Sequence, residues 1–197
     1  MFKHKKTFEV RTAGDKVLSV TAAPVGLITP EIRKLAGDMY EAMAAFDGIG
    51  LAAPQYGESL RLIVIDVPLS DEDAKELTEF EAKMYSSMPM ALVNPEITAR
   101  SSQVCERDEG CLSVPEIYAP VVRPERIAFR AQTLDGTLIE GECGGLLGRC
   151  LQHEIDHLDG ILFTDRLSPD AAGRISGQMQ RLISYGTRHN FRRITKK

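Results

Sequence analysis

The segment CLQHEIDHLDG, Cys150 to Gly160, sets His153 and His157 four positions apart, with Glu154 directly after the first histidine. On a helix turning about 100° per residue, the two imidazoles lie about 40° apart around the axis and one turn apart along it, so both reach a single cation. Glu154 is rotated away from that pair. It stands beside the ion rather than on it, where a base for attacking water is needed. Leu151, Ile155 and Leu158 mark the helix as buried, and buried imidazoles need partners. The spacing therefore offers metal-assisted hydrolysis, with two ligands in hand and a third to be found.

No downstream residue supplies the third. Zinc peptidases of the HExxH type take a later glutamate or the last histidine of HExxHxxGxxH. Here no glutamate follows Glu154, Phe163 fills the final ligand place of the longer pattern although Gly160 fits its glycine, and His189 stands in a basic tail. The four cysteines remain, thiolate being an accepted ligand for such ions. Cys150 is seven residues from His157, about 10.5 Å along the axis, whereas two donors on one ion sit about 3–4 Å apart. It reads as lining a cavity one turn from the ion. Cys143 precedes the helix between Glu142 and two glycines and needs a sharp fold-back, and Cys105 has no special backbone near it. Cys111 follows a glycine in EGCLS and precedes a strand-like run, but an ordinary buried strand thiol has the same appearance. The residues alone leave that choice open.

The elements that must position these groups are legible in outline. Thr29-Pro30-Glu31 reads as an N-cap, a first-turn proline and a first-turn acid, and Ile32, Leu35, Met39, Met43 and Phe46 form one apolar stripe, predicting a helix that ends near Phe46. Leu60 to Val67 and Ala91 to Val93 read as strands, separated by an acidic segment, Ser70 to Lys83, expected to be an exposed insertion. Arg126 to Ala131 alternates, and the turn Leu134-Asp135-Gly136-Thr137 before Leu138 and Ile139 makes a hairpin. A helix over Gly145 to Asp159 carries the quoted motif, and a last one begins at Ser168-Pro169 and runs toward Gly186. Strands in runs favour an α+β fold over a doubly wound parallel sheet.

The bulk numbers bound the rest. A chain of 197 residues, 43% hydrophobic and 26% charged, is expected to form one globular domain, residues 1–197, with a basic tail over about 187–197. Net charge is −4, yet seven Lys or Arg and no Asp or Glu follow Asp170, so the acidic excess lies in the body. No apolar run approaches the roughly 20 residues that cross a bilayer, and no membrane partner is expected. The start, MFKHKKTFEVRT, lacks the apolar core of a secretory signal. A reducing, cytoplasmic setting is expected, or an organelle if a transit peptide has been removed, with the cysteines as thiols or ligands rather than disulfides. Gly48-x-Gly50-x-x-Ala53 fits a loose dinucleotide fingerprint, but an apolar-striped helix precedes it and Pro54 follows, so no nucleotide cofactor is expected and a loop passing close to the ion is.

Three segments, in this order, resemble the peptide deformylases: GIGLAAPQ from Gly48 to Gln55, EGCLS from Glu109 to Ser113, and QHEIDHL from Gln152 to Leu158. The likeness runs from about Pro24 to Pro169. It implies mostly antiparallel or mixed sheets around a central HExxH helix, with an N-terminal and a C-terminal helix. It implies Cys111 as third ligand beside His153 and His157, water in the fourth position, and Fe(II) as the native ion, replaceable by Ni, Co or Zn. The implied substrate is the N-formylmethionyl nascent peptide, with Glu154 as the base and the Gln55 amide and Leu112 backbone N–H as oxyanion donors. Gly48 and Gly50 would let the chain approach an extended peptide, and Ile49, Leu146 and Cys150 would line the methionine pocket. Glu109 and Arg123 match a supporting acid and base. Tyr118 departs from the family, many bacterial members carrying arginine there, which bears on how the second and third substrate residues are held. Arg181, Arg188, Arg192, Arg193, Lys196 and Lys197 make a tail that is either solvated or a ribosome contact; its removal is expected to spare turnover of a short formyl-peptide.

Overall fold

The computed structural model describes residues 6–71, 73–189 and 191–196. The first five residues of the basic start, Glu72 of the acidic segment and Lys197 of the tail lie outside them. In chain order the elements are β1 (Lys6–Arg11), α1 (Pro30–Ala45), β2 (Gly50–Ala52), α2 (Ala53–Tyr56), β3 (Leu62–Ile65), α3 (Glu79–Ser86), β4 (Met90–Arg100), β5 (Val104–Cys111), β6 (Val114–Pro124), β7 (Arg126–Gln132), β8 (Leu138–Gly144), α4 (Gly145–Leu158), α5 (Pro169–His189) and β9 (Phe191–Lys196). The fold is α+β. A five-stranded sheet runs in the order β2-β3-β4-β7-β8, beside two-stranded ribbons β5-β6 and β1-β9, and every one of these strand pairs is antiparallel.

Strand β3, LIVI, explains the layering. All four residues are buried; Leu62 and Val64 join Met39 and Met43 of α1 on one face, while Ile63 and Ile65 join Leu147 and Leu151 of α4 on the other. Alternation with period 2, both halves apolar, is what a strand between two helical layers requires. A third cluster joins Val114, Ile117 and Val121 of β6 to Phe163 and Ile175, seating α5 against the β5-β6 ribbon.

Helix α1 begins at Pro30 and is capped at Phe46, but the Thr29 side chain makes no capping hydrogen bond. Most of the described residues of the acidic segment are exposed, as expected, and it departs from an exposed insertion only near its end, where α3 begins. Thr78 and Glu81 form a reciprocal capping box that starts α3, Met84 is buried and Phe80 packs edge-on against Phe129 at 5.8 Å. Glu81 reaches further, accepting the Gly144 N–H at 2.8 Å at the N-cap of α4. The GIGLAAPQ segment is likewise more than a loop: β2 occupies Gly50–Ala52 and the single turn α2 follows at once, with Pro54 in its first turn, a position that needs no N–H. The basic tail, too, is a strand, β9, in register with β1 from Lys6↔Lys196 to Arg11↔Phe191.

Candidate functional site

Two elements meet at the histidines. Helix α4 carries His153 and His157, the latter 1% exposed. Across from it, the β5-β6 ladder shifts register between Glu109 and Cys111, so that Cys111 pairs with Val114 over the two-residue connection Leu112-Ser113. Gly110 alone stands between these pairs on β5, against Pro115 to Tyr118 on β6, so the extra residues lie in β6, with Glu116 at φ 62°, and an irregularity of this kind re-aims the side chains beside it. Cys111 Sγ comes to 3.2 Å from His157 Nε2, and donors from Cys111, His153 and His157 lie within 4.8 Å of one another. A thiolate and two imidazoles at that spacing suit a tetrahedral cation. Beside them Glu154 Oε2 is buried without a protein partner, and Glu154 lines one cavity with Cys111 and His153. The donor set fits a divalent transition metal.

Behind the ligands lies a buried ionic cluster. His153 Nδ1 stands 2.9 Å from Glu109 Oε2, a contact in which the ring N–H donates and which leaves Nε2 for the ion. Glu109 also accepts from Arg123 at 2.6 and 2.9 Å and from Arg149 at 2.7 Å. Arg123 turns its remaining arm to Asp156 at 2.8 Å, which Arg166 grips at 2.7 Å. Arg123 and Glu109 are each about 5% exposed, so this is no surface ion pair. Burial opposes ionisation of Glu109, but its hydrogen bonds to Arg123 and His153 outweigh that and hold the carboxyl well below its usual range. Burial, joined by the charges of His153 and Arg123, drives His157 well below its ordinary value, and burial pushes Glu154 up to about 7, opposed by His153. A cation at the three donors would lower Glu154 by direct attraction.

A cavity of about 490 Å³ opens on this centre, lined by Gly48, Ile49, Gly50, Gln55, Glu109, Cys111, Leu112, Tyr118, Leu146, Cys150, His153 and Glu154. The backbone at Gly50 passes so close that a Cβ there would collide with the Glu154 carboxylate; glycine is required by contact. At Gly48 a Cβ would stand 2.9 Å from Leu112 Cδ1. Gln55 is anchored by accepting the Ala52 N–H at 2.8 Å, and its amide donates to Ser113 Oγ at 3.2 Å and Cys111 Sγ at 3.4 Å. Cys150 is buried and its thiol pushed well up by burial, so it lines the cavity as a neutral, apolar group. Tyr118 is 70% exposed and its ring covers Gly110. His157 and Arg123 do not line the cavity; they hold it from behind. The sequence reading missed Arg149 and Arg166. Arg149 carried a signal: it sits four residues before His153 on a helix buried nearly all round, where a charge requires a partner.

Residues 7–172 match the profile of the polypeptide deformylase family. This chain belongs to that family. A peptide deformylase of Rhodopseudomonas palustris (strain BisB5) is 46% identical over 160 residues, covering 81% of this chain and 85% of the relative. Peptide deformylase 1B of Arabidopsis thaliana, crystallised with an inhibitor, superposes with a TM-score of 0.78 at 32% identity, covering 92% of this chain and 93% of that one. The class I type b enzyme of Acinetobacter baumannii, with Met-Ala-Ser bound, gives 0.70 at 35% identity over 80% and 96%. This family member is thus a hydrolase that removes the N-formyl group from nascent peptides.

Proposed function

We propose that the Cys111, His153 and His157 donors hold one divalent ion, Fe(II) in the native enzyme with Ni, Co or Zn as substitutes, and that Glu154 carries the proton traffic of deformylation. A cation so held polarises a carbonyl oxygen and acidifies water. The rest falls to the chain's own side chains. Glu154 Oε2, buried and unpartnered, accepts a proton from the water that attacks the formyl carbon, then returns it to the amine nitrogen as the C–N bond breaks, leaving formate and a free N-terminus. The developing oxyanion takes the Gln55 amide and the Leu112 N–H, each such donor being worth about 100- to 1,000-fold in rate. Ile49, Leu146 and Cys150 receive the methionine side chain, and the glycines at 48 and 50 leave the peptide room. Met-Ala-Ser, the peptide bound in the Acinetobacter structure, is what formyl-Met-Ala-Ser becomes on losing its formyl group.

One observation carries this reading: a single cavity brings the unpartnered Glu154 carboxylate to a Cys-His-His donor set. A structural metal site has no use for such a base. Metal-loaded enzyme given formyl-Met-Ala-Ser should release formate and expose one amine per peptide; cleavage of internal peptide bonds instead would make it an endopeptidase. Glu154→Ala should retain the ion and lose about 10²- to 10⁴-fold in turnover. Anaerobic isolation followed by elemental analysis should find iron, with activity lost in air and restored by Ni.

Residues 1–197 form one catalytic domain acting in the cytoplasm, or in an organelle after removal of a transit peptide, and no helix among the described residues is long and apolar enough to cross a membrane. The cationic C-terminus contacts ribosomal RNA beside the emerging chain, Lys and Arg on phosphate giving salt-dependent affinity. Unchanged cosedimentation with ribosomes after deletion of residues 187–197 would retire that contact.

A further inference from the structure

The cavity that opens on Glu154 has a wall the sequence did not foretell: Arg192, from the C-terminal strand. Its register explains the placement. Arg192 stands opposite Val10, which is fully buried in the α1 cluster, so the two side chains share one face of the β1-β9 ribbon. Ile194, two residues on and therefore on that same face, packs into the same cluster. Arg192 thus leaves the strand toward the molecule and snorkels out over the ring of Phe46, its guanidinium carbon 5.3 Å from the centroid. Phe46 caps the C-terminal end of α1, where unpaired carbonyls favour a cation. Arg193 faces the other way, pairing with Glu9 and lying over Phe191.

Charge makes the position informative. Asp47, Asp108, Glu116 and Glu154 line the same cavity, and its other arginine, Arg149, is committed to Glu109. Arg192 is exposed, as are Glu116 and Tyr118, so these residues form the mouth, whereas Glu154 is 4% exposed and lies deep. A peptide whose formyl group reaches Glu154 must leave past that mouth. We propose that Arg192 is a specificity-determining residue that binds carboxylate side chains on the second and third residues of the substrate, offsetting a mouth that otherwise repels them. The C-terminal strand is in this way part of the substrate site, contrary to the tail's expected indifference to short peptides. The inference rests on the deformylase reading above.

The test uses the full-length, metal-loaded enzyme and three substrates: formyl-Met-Ala-Ser, formyl-Met-Glu-Glu and formyl-Met-Lys-Lys. Arg192→Ala should shift the ratio of KM values toward the lysine peptide by about three- to tenfold, the range of one or two partly exposed ion pairs. The change should sit in KM rather than kcat. Arg192→Glu should extend it, Arg192→Lys should restore most of the wild-type ratio, and about 0.5 M salt should shrink the difference. Arg193→Ala is the control for strand docking, since it loosens β9 from the opposite face. A KM ratio that is the same in wild type and Arg192→Ala, or one moved equally by Arg193→Ala, overturns the assignment while formate release from formyl-Met-Ala-Ser leaves the deformylase reading intact. Absence of formate from the metal-loaded wild type would remove both.

Discussion

Glu109 is the residue on which the centre's geometry converges, because one carboxylate orients His153 while two arginines hold it. Removing one partner of a buried ion pair leaves charge uncompensated, and outer partners of metal-ligating histidines commonly govern affinity by about 10- to 100-fold. Arg149→Met keeps an apolar stem but removes one of the two donors to Glu109 Oε1, leaving only Arg123 Nε on that oxygen. It should weaken metal binding by about that factor in competition with a chelator, with the ligands themselves untouched. Unaltered affinity in a merely less stable protein would reduce Arg149 to packing. His153, Glu154 and His157 were legible because helical periodicity fixes their geometry within eleven residues of chain. Cys111 was one of several candidate thiols until the resemblance singled it out, since its approach to His157 depends on a bulge and on a contact 46 positions apart, neither written in local spacing.

At the scale of elements, the acidic segment shows how a real signal can be read past. Thr78-x-x-Glu81 is a capping box in plain sequence, yet the surrounding charge made the stretch look solvated. Glu81 serves four donors on three residues, the N–H and hydroxyl of Thr78, the Gly144 N–H and the Arg126 guanidinium, so it starts α3 and secures the entry to α4 together. Burial raises its pKa, but the hydrogen bonds to Thr78 and Gly144 and the charge of Arg126 prevail, and the folded value lies below 4.5. A depressed carboxyl stabilises the fold above its unfolded pKa and loses that contribution as pH falls through the folded one. Glu81→Gln should therefore cost about 1–2 kcal/mol at neutral pH by urea unfolding, and the gap to wild type should narrow below about pH 4.5. A gap independent of pH would mean that the ionised form plays no part. The limits of α1, β3, β7, α4 and the start of α5 followed from periodicity and capping; β1, β5, β6 and β9 were not read as strands, and the length of β4, eleven residues where three looked strand-like, was missed because its outer half, Glu96 to Arg100, is polar or exposed except for half-buried Ile97 and pairs with β7.

On the scale of the whole molecule, the three donors of the proposed metal site come from two separately packed bodies. Cys111 belongs to the β5-β6 ribbon, whose apolar side joins Phe163 and α5, while the histidines belong to α4, packed under the five-stranded sheet. Phe163, which fills the place of a missing ligand in the sequence pattern, stacks on the His153 ring with centroids 6.2 Å apart and so closes the seam between the two. An α+β class could be inferred from the order of strands and helices; that the centre lies across this seam could not, since no local pattern reports which cores face one another. The consequence is that an ion bound to all three ligands links ribbon to helix and stabilises only the state in which they meet. At free ion about a thousandfold above Kd this amounts to about 4 kcal/mol, or about 8–16 °C in Tm for a chain of this size. Scanning calorimetry of metal-loaded and chelator-stripped enzyme should show that difference in the wild type. Cys111→Ser, which weakens the ribbon's hold on the ion, should lose most of the increment while its stripped form melts close to stripped wild type. Equal melting with and without metal in the wild type would mean that the apolar seam, with Phe163 at its centre, locks the two bodies before any ion arrives.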